Sequence, residues 1–166
     1  MNTESKANRY ERLFTQIEHL CVATSFPISR MATISAILHH KLKGFFWTGF
    51  YLLQETELVV GPYQGSLACL KLKKNSGVCW AGINQEASVV VADVDKFPGH
   101  IACSPLSKSE IVIPVFDSNN NVVGVLDIDS KELNAFDDLD RVGLEKIVSL
   151  IYKNFESNTS CSCTNS

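Results

Sequence analysis

Hydrophobic residues recur three to four positions apart in two runs near the start of the chain, which predicts two amphipathic helices. Pro27 separates the runs and is predicted to end the first. Ser29 is predicted to cap the start of the second helix, and Gly44 is predicted to be its C-cap. The apolar positions are Tyr10, Leu13, Phe14, Ile17, Leu20 and Cys21 in the first run and Met31, Ile34, Ile37, Leu38 and Leu42 in the second.

Beyond Gly44 the pattern becomes typical of strands, with short apolar and aromatic runs separated by turn residues. The predicted strands are 45–53, 58–63, 67–72, 88–91, 110–116 and 122–129. A short apolar helix is predicted over 77–85, a long loop over 92–109 and a closing helix over 137–155. The hairpin-type connections predict an α+β fold, in which a six-stranded antiparallel sheet carries helices packed mainly on one face.

Length and charge narrow the class of protein. The chain has 166 residues, which fits one domain over residues 1–155 followed by a polar, flexible tail over 156–166. A net charge of −3 argues against nucleic acid or an anionic membrane as the partner, and no apolar run is long enough to span a bilayer. The N-terminus has no signal-peptide core, so we expect a cytoplasmic, reducing location.

Six cysteines in a reducing compartment suggest thiol chemistry, metal binding or simple burial. Cys103 follows a Pro-Gly-His turn in the long loop, where it is either a buried loop residue or a nucleophile. In the second case a protonated His100 would lower the pKa of the thiol. Cys69 is either a core residue or a resolving thiol that traps an oxidised Cys103 as a disulfide.

The other cysteines favour structural interpretations. Cys79 lies in the short apolar helix and Cys21 on the apolar face of the first helix, so both are expected in the core. Cys161 and Cys163 lie in the polar tail and are interpreted as incidental. A zinc site made of Cys69, Cys79, His100 and Cys103 is an alternative, although their spacing differs from the two close pairs of usual structural zinc sites.

Three acidic residues are predicted to share one face of the last hairpin. Asp127 and Asp129 are two apart on a strand and therefore point to the same side, while Leu126 and Ile128 point to the core. Glu110 opens the partner strand and is expected nearby. Such a group is either a solvated strand face or a site for a cationic group in which one carboxyl stays protonated.

Trp47 and Tyr51 are four apart on the first strand and therefore lie on one face. Core packing is the simplest interpretation of each ring. The alternative is an aromatic wall that accepts an apolar ligand group.

Taken together, these motifs resemble the free methionine-(R)-sulfoxide reductases, a catalytic branch of the GAF domain superfamily, over residues 8–152. The resemblance implies a GAF-like fold in which residues 1–155 form a single catalytic domain. Trp80 departs from the pattern, because the family has a small residue after its middle cysteine. The motifs that carry the resemblance are 46–52, 61–65 with Cys69, 77–79, 93–94 with 97–103, 109–114 and 124–130.

The resemblance implies a role for each matched position. Cys103 is expected to be the nucleophile, Cys69 the resolving cysteine and Cys79 an auxiliary cysteine. Trp47 and Tyr51 are expected to surround the substrate methyl group. Glu110, Asp127 and Asp129 are expected to bind substrate, and Glu110 or Asp129 is expected to donate a proton.

The implied activity is reduction of free methionine (R)-sulfoxide to methionine through sulfenic acid and disulfide intermediates. No bound cofactor is expected, and the disulfide is expected to be reduced by external thioredoxin, supplied by NADPH and thioredoxin reductase. A homodimer is expected by analogy with other GAF domains. The alternative function is a GAF-type sensor of small molecules or redox state, without turnover.

Overall fold

The computed structural model describes residues 3–99 and 104–155, so the predictions for His100, Cys103 and the tail lie outside the described residues. Among the described residues, no helix is both long and apolar enough to cross a membrane. The helices are α1 (Thr3–Cys21), α2 (Pro27–Lys41), α3 (Gly77–Gln85) and α4 (Asp138–Val148), with a 3-10 helix at Val94–Lys96. The strands are β1 (Phe45–Gln54), β2 (Glu57–Gln64), β3 (Lys71–Leu72), β4 (Val89–Val91), β5 (Ser109–Phe116) and β6 (Val122–Ser130).

The strands form one six-stranded antiparallel sheet in the order β3-β2-β1-β6-β5-β4, which confirms the predicted architecture. The β5–β6 hairpin places the ends of both strands in register, with Glu110 opposite Asp129. Its turn is stabilised by Asp117, whose Oδ1 accepts hydrogen bonds from the backbone N–H groups of Asn119 and Asn121, both at 2.8 Å.

The two faces of the sheet bury different sets of residues. Helices α1, α2 and α4 pack on one face against alternate strand residues such as Phe50, Leu126 and Ile128. Helix α3 packs on the opposite face, in a second cluster that includes Trp47 and Tyr51. Because strand side chains alternate, this second face is also where Asp127 and Asp129 emerge, beside α3. Helices therefore lie mainly on one face, as predicted.

The start of α2 differs from the prediction. Pro27 begins this helix rather than ending the previous segment, and Phe26 occupies the N-cap position without a side-chain cap, so the predicted cap at Ser29 is wrong. Proline suits the first helical position because its fixed φ is helical and its missing N–H would have no partner there. At the other end the C-cap is Leu42 rather than the predicted Gly44, which lies two residues later with φ +106°.

The closing helix is shorter than predicted, since α4 ends at Val148 rather than at residue 155. The buried guanidinium of Arg30 donates hydrogen bonds to the carbonyl oxygens of Leu150, Ile151 and Lys153 at 3.2, 2.9 and 2.8 Å. These carbonyl oxygens accept hydrogen bonds from a side chain of α2 instead of from backbone N–H groups of a longer α4.

The predicted strand over 67–72 is reduced to Lys71–Leu72. The preceding segment is a loop in which Leu67 is 90% exposed and Leu70 is 74% exposed. Its backbone carbonyls bond to aromatic side chains of β1, as described below, and this pairing replaces a longer strand ladder.

Candidate active site

Glu110, Asp127 and Asp129 come together on the α3 side of the sheet. Glu110 pairs with Asp129 across the β5–β6 ladder, and Asp127 precedes Asp129 by two residues on the same face. Glu110 and Asp127 are only 5% and 6% exposed. The group is therefore a buried acidic cluster rather than a solvated strand face.

Burial dominates the electrostatics of this cluster. It raises the pKa of Glu110 well above its ordinary range, and the nearby charges of Asp127 and Asp129 raise it further. Burial also raises the pKa of Asp127 well above its ordinary range, followed by the charge of Asp129. The pKa of Asp129 is raised by burial to about 6, against the lowering effect of a hydrogen bond from Ser107. Burial in this cluster therefore favours the protonated form of Glu110 and Asp127 over the carboxylate.

Cys79 contacts this cluster from the first turn of α3. Its Sγ donates a hydrogen bond to Oε1 of Glu110 at 3.9 Å. Burial, followed by the charges of Asp127 and Glu110, raises the pKa of the thiol well above its ordinary value. Cys79 is thus a core residue, as its position on the apolar helix predicts, and also a protonated thiol in contact with the acids.

Trp47 and Tyr51 form a stacked aromatic wall on the same side of the sheet. Their ring centroids are 5.7 Å apart with an interplanar angle of 20°, and Tyr63 stacks on Trp47 at 5.5 Å and 16°. Gly49 makes this stack possible, because a Cβ atom there would lie 2.3 Å from the Cβ of Tyr63 and 2.6 Å from the ring of Trp47.

The aromatic wall also holds the loop that carries Cys69. Trp47 Nε1 donates a hydrogen bond to the carbonyl of Ser66 at 3.2 Å, and the Tyr51 hydroxyl donates one to the carbonyl of Cys69 at 3.2 Å. Cys69 is half-buried and takes part in a disulfide. Cys21 and Cys79, the other cysteines among the described residues, are free thiols.

These features line one pocket that is open to solvent at its mouth. The aromatic wall and the 66–68 loop border one side, and the acids, Cys79 and the 104–107 loop border the other. The lining residues are Phe46, Trp47, Tyr51, Ser66, Leu67, Ala68, Leu72, Ser76, Gly77, Val78, Cys79, Ser104, Ser107, Glu110, Asp127 and Asp129.

The pocket therefore brings together six of the predicted site residues, Trp47, Tyr51, Cys79, Glu110, Asp127 and Asp129, and Cys69 lies on the adjacent loop. Cys103 and His100 lie outside the described residues. The alternative zinc site is not assembled in this state, because the sulfur of Cys69 is engaged in a disulfide. The roles assigned to these residues stay predictions.

Ser107 is a site residue that sequence reasoning missed. Its Oγ donates a hydrogen bond to Oδ1 of Asp129, and the residue is 5% exposed. A polar residue just before β5 is a weak signal, since only the strand register shows that it faces Asp129. Trp80, the departure noted in the sequence, packs in the core of the α3 face, and its Nε1 has no hydrogen-bond partner among the described residues.

Comparison with known proteins agrees with this geometry. No family model matches the chain. GAF domain-containing protein A of Dictyostelium discoideum is 47% identical over 148 residues, covering 89% of this chain and 92% of that protein. The free methionine-R-sulfoxide reductase of Escherichia coli is 42% identical over 130 residues, covering 78% of each chain.

A solved structure extends the comparison to three dimensions. The free methionine-R-sulfoxide reductase of Neisseria meningitidis, in complex with its substrate, superposes with a TM-score of 0.84 at 40% identity, covering 89% of this chain and 88% of that one. The sheet, its helices and the pocket define a GAF domain. Within that class, the chain belongs to the free methionine-R-sulfoxide reductase family.

Proposed function

We propose that this protein is an oxidoreductase that reduces free methionine-(R)-sulfoxide to methionine. The observation that carries the proposal is one pocket lined by a stacked aromatic wall and by buried acids, beside a loop whose Cys69 takes part in a disulfide. Relatives in Escherichia coli and Saccharomyces cerevisiae bear the name of this activity, at 42% and 34% identity.

The pocket chemistry suits a small zwitterion with a methyl sulfoxide. The rings of Trp47 and Tyr51 offer an apolar surface to the methyl group. A carboxylate in the cluster pairs with the substrate ammonium in a water-poor setting, where such a pair is strong. Binding of the free ammonium favours the free amino acid over a residue in a peptide.

The proposed first step is attack of the Cys103 thiolate on the sulfoxide sulfur. A carboxylic acid donates a proton to the sulfoxide oxygen, and methionine leaves as Cys103 takes up that oxygen as a sulfenic acid. The sulfoxide sulfur is reduced by two electrons and the cysteine sulfur is oxidised by two. Cys69 then attacks the sulfenic sulfur, which forms a disulfide and releases one water.

We assign the proton donor to Glu110 and the ammonium contact to Asp129. Burial raises the pKa of Glu110 well above its ordinary range, which favours the protonated form that a proton donor requires. The pKa of Asp129, about 6, leaves that carboxyl mostly ionised at neutral pH and hydrogen-bonded to Ser107. Asp127 contributes a second acidic group beside the ammonium, and Cys79 acts as an auxiliary thiol through its contact with Glu110.

Recycling requires an external dithiol that reduces the disulfide at Cys69. We propose thioredoxin, supplied by NADPH and thioredoxin reductase, as that reductant, and no bound cofactor. The half-buried position of Cys69 on an exposed loop is compatible with thiol-disulfide exchange with a protein partner.

The test is methionine release from free methionine-(R)-sulfoxide, its S epimer and an N-acetylated R form, each with a thioredoxin recycling system. Turnover of the free R form alone is expected. Cys103→Ser should abolish turnover, and Cys21→Ser, which alters a buried thiol on the opposite face of the sheet, should retain it. Binding of the free R form without any turnover would instead identify a sensor domain.

A further inference from the structure

Cys79, Glu110 and Asp127 bring together three potential metal ligands in the pocket. Their ligand atoms, one sulfur and two carboxylate oxygens, all lie within 4.8 Å of one another, and all three residues are buried. We propose that these residues form a binding site for a thiophilic divalent cation such as Zn²⁺, and that the bound ion excludes the substrate. The exclusion rests on the proposed function, whereas the metal site itself does not.

The distances match what such an ion requires. Zinc binds thiolate at about 2.3 Å and carboxylate at about 2.0 Å, so ligand atoms of a tetrahedral site lie roughly 3.5 Å apart. Cys79 Sγ and Glu110 Oε1 are 3.9 Å apart, close to that spacing. All three ligand atoms lie within 4.8 Å of one another, so the side chains would have to draw together around an ion.

Asp127 provides an independent indication that this position takes a ligand. Its Oδ1 is buried and has no hydrogen-bond partner among the described residues. A buried acceptor without a partner costs free energy, which a bound ligand recovers. Asp127 lines the pocket, and its carboxylate is one of the three ligand groups that lie within 4.8 Å of one another.

The charge of the pocket favours a cation. Among its described lining residues there are three acids and no Lys, Arg or His. The thiol and the two carboxyl groups release their protons to solvent when the ion binds, and the ion then offsets the repulsion among the ionised ligands.

The ligand set selects the kind of cation. Mg²⁺ and Ca²⁺ prefer sites built from oxygen alone, whereas a thiolate combined with carboxylates suits zinc-like ions. Three protein ligands leave one coordination position directed toward the pocket, open to water. The ion would engage Glu110 and Asp127, which the proposed function assigns to proton donation and to the acidic surroundings of the substrate ammonium, so the ion and the substrate compete.

This site differs from the zinc site considered from the sequence. Of those four residues only Cys79 takes part, and the two carboxylates replace the remaining cysteines and histidine. The site is therefore available in the disulfide form, in which Cys69 offers no thiolate but Cys79 is a free thiol.

The experiment measures Zn²⁺ binding by competition with a chromophoric chelator. The protein is the full chain in its disulfide form, with Cys161→Ser and Cys163→Ser so that tail thiols contribute nothing. We expect one ion per chain, and at least a roughly tenfold loss of affinity in Cys79→Ser and in Asp127→Asn. Cys21→Ser is the matched control, since it removes another buried free thiol and should leave the affinity unchanged.

Co²⁺ supplies a second readout. A thiolate-to-cobalt charge-transfer band is expected in the background protein and should be absent in Cys79→Ser. Asp127→Asn keeps the side-chain shape. If this variant unfolds cooperatively on heating but binds the ion weakly, the loss of affinity comes from the missing carboxylate and not from a disrupted fold. No binding in the background protein, or affinity unchanged by Cys79→Ser, would overturn the metal site.

Two further outcomes separate this inference from the proposed function. Methionine release by the metal-free protein, with no Zn²⁺ binding, would reject the metal site and leave the reductase intact. Zn²⁺ binding that depends on Cys79, in a protein that never releases methionine, would support the site and reject the substrate competition. Added methionine sulfoxide should weaken Zn²⁺ binding if both proposals hold.

Discussion

The Ser107 hydroxyl donates a hydrogen bond to Oδ1 of Asp129, joining the loop before β5 to the acidic cluster on β6. This bond opposes the effect of burial on Asp129 and holds its pKa at about 6. Ser107 therefore adjusts the pH at which Asp129 becomes a carboxylate.

Removing this hydroxyl should shift the acid limb of the pH profile. In Ser107→Ala the ionised form of Asp129 loses a hydrogen bond, so its pKa rises above 6. We expect the acid limb of kcat/KM to move up by about 0.5 to 1 pH unit, the equivalent of one hydrogen bond of about 1 kcal/mol. Ser107→Thr keeps a hydroxyl and should preserve the profile. If the acid limb of kcat/KM does not shift in Ser107→Ala, Ser107 does not adjust the pKa of Asp129.

Asp127 should destabilise the fold at high pH. Its pKa is raised above the ordinary 3.8, so the folded chain holds the proton more tightly than the unfolded chain does. Stability is then lost as pH rises from the unfolded pKa through the folded one. Asp127→Asn should raise the free energy of unfolding by about 1 to 2 kcal/mol at pH 8, and this gain should disappear near pH 4.

Urea unfolding at the two pH values measures this effect. Asp138→Asn, which alters an 89% exposed carboxyl, is the control and should give little difference between pH 8 and pH 4. A loss of stability in Asp127→Asn at pH 8 would contradict the interpretation of Asp127 as a buried acid held for function. The same variant should lose turnover, because an amide cannot replace the acid that the proposed function places beside the substrate ammonium.

The Tyr51 hydroxyl should increase the rate at which the disulfide at Cys69 forms. Tyr51→Phe keeps the ring stacked near Trp47 but removes the hydrogen bond to the Cys69 carbonyl. We expect formation of the disulfide to slow by about three- to tenfold, in line with one hydrogen bond, while the first methionine release changes less. Rapid-quench measurement of thiols and methionine separates the two steps.

Tyr63→Phe is the matched control for this prediction. Tyr63 also stacks on Trp47, so removing its hydroxyl leaves the aromatic wall in place. Equal slowing in Tyr63→Phe and Tyr51→Phe would show that the bond to the Cys69 loop has no special effect.

Arg30 should stabilise the fold by holding the segment that follows α4. Its guanidinium donates to the carbonyls of Leu150, Ile151 and Lys153, and its Nε donates to those of Cys21 and Thr24. Arg30→Leu leaves buried carbonyls without donors and should lower the free energy of unfolding by about 3 kcal/mol. Arg141→Leu removes a partly exposed arginine that pairs with the carboxylates of Asp138 and Glu145, and it should change the free energy of unfolding little; a small effect at Arg30 would contradict this role.

Local pattern predicts much of this fold and site. The alternation of Leu126, Asp127, Ile128 and Asp129 indicates which face is core and which is pocket, and the structure follows it. The spacing of Trp47 and Tyr51 likewise predicts their shared face. These features depend on strand periodicity, which the sequence displays directly.

The features that sequence missed depend on contacts between distant residues. Helix α4 ends early because Arg30, 120 residues before Leu150, takes its carbonyls. The strand before Leu72 is short because Trp47 and Tyr51 bond to the loop carbonyls. Ser107 faces Asp129, 22 residues later, only once the hairpin register is known. No local pattern encodes such pairings.

The most direct test of the proposed activity mixes the fully reduced chain with free methionine-(R)-sulfoxide in the absence of any reductant. We predict one methionine released per chain, together with loss of two thiols, mapped by mass spectrometry to Cys69 and Cys103. Release of no methionine by a fully reduced, folded chain would contradict the proposal that this protein is a methionine sulfoxide reductase.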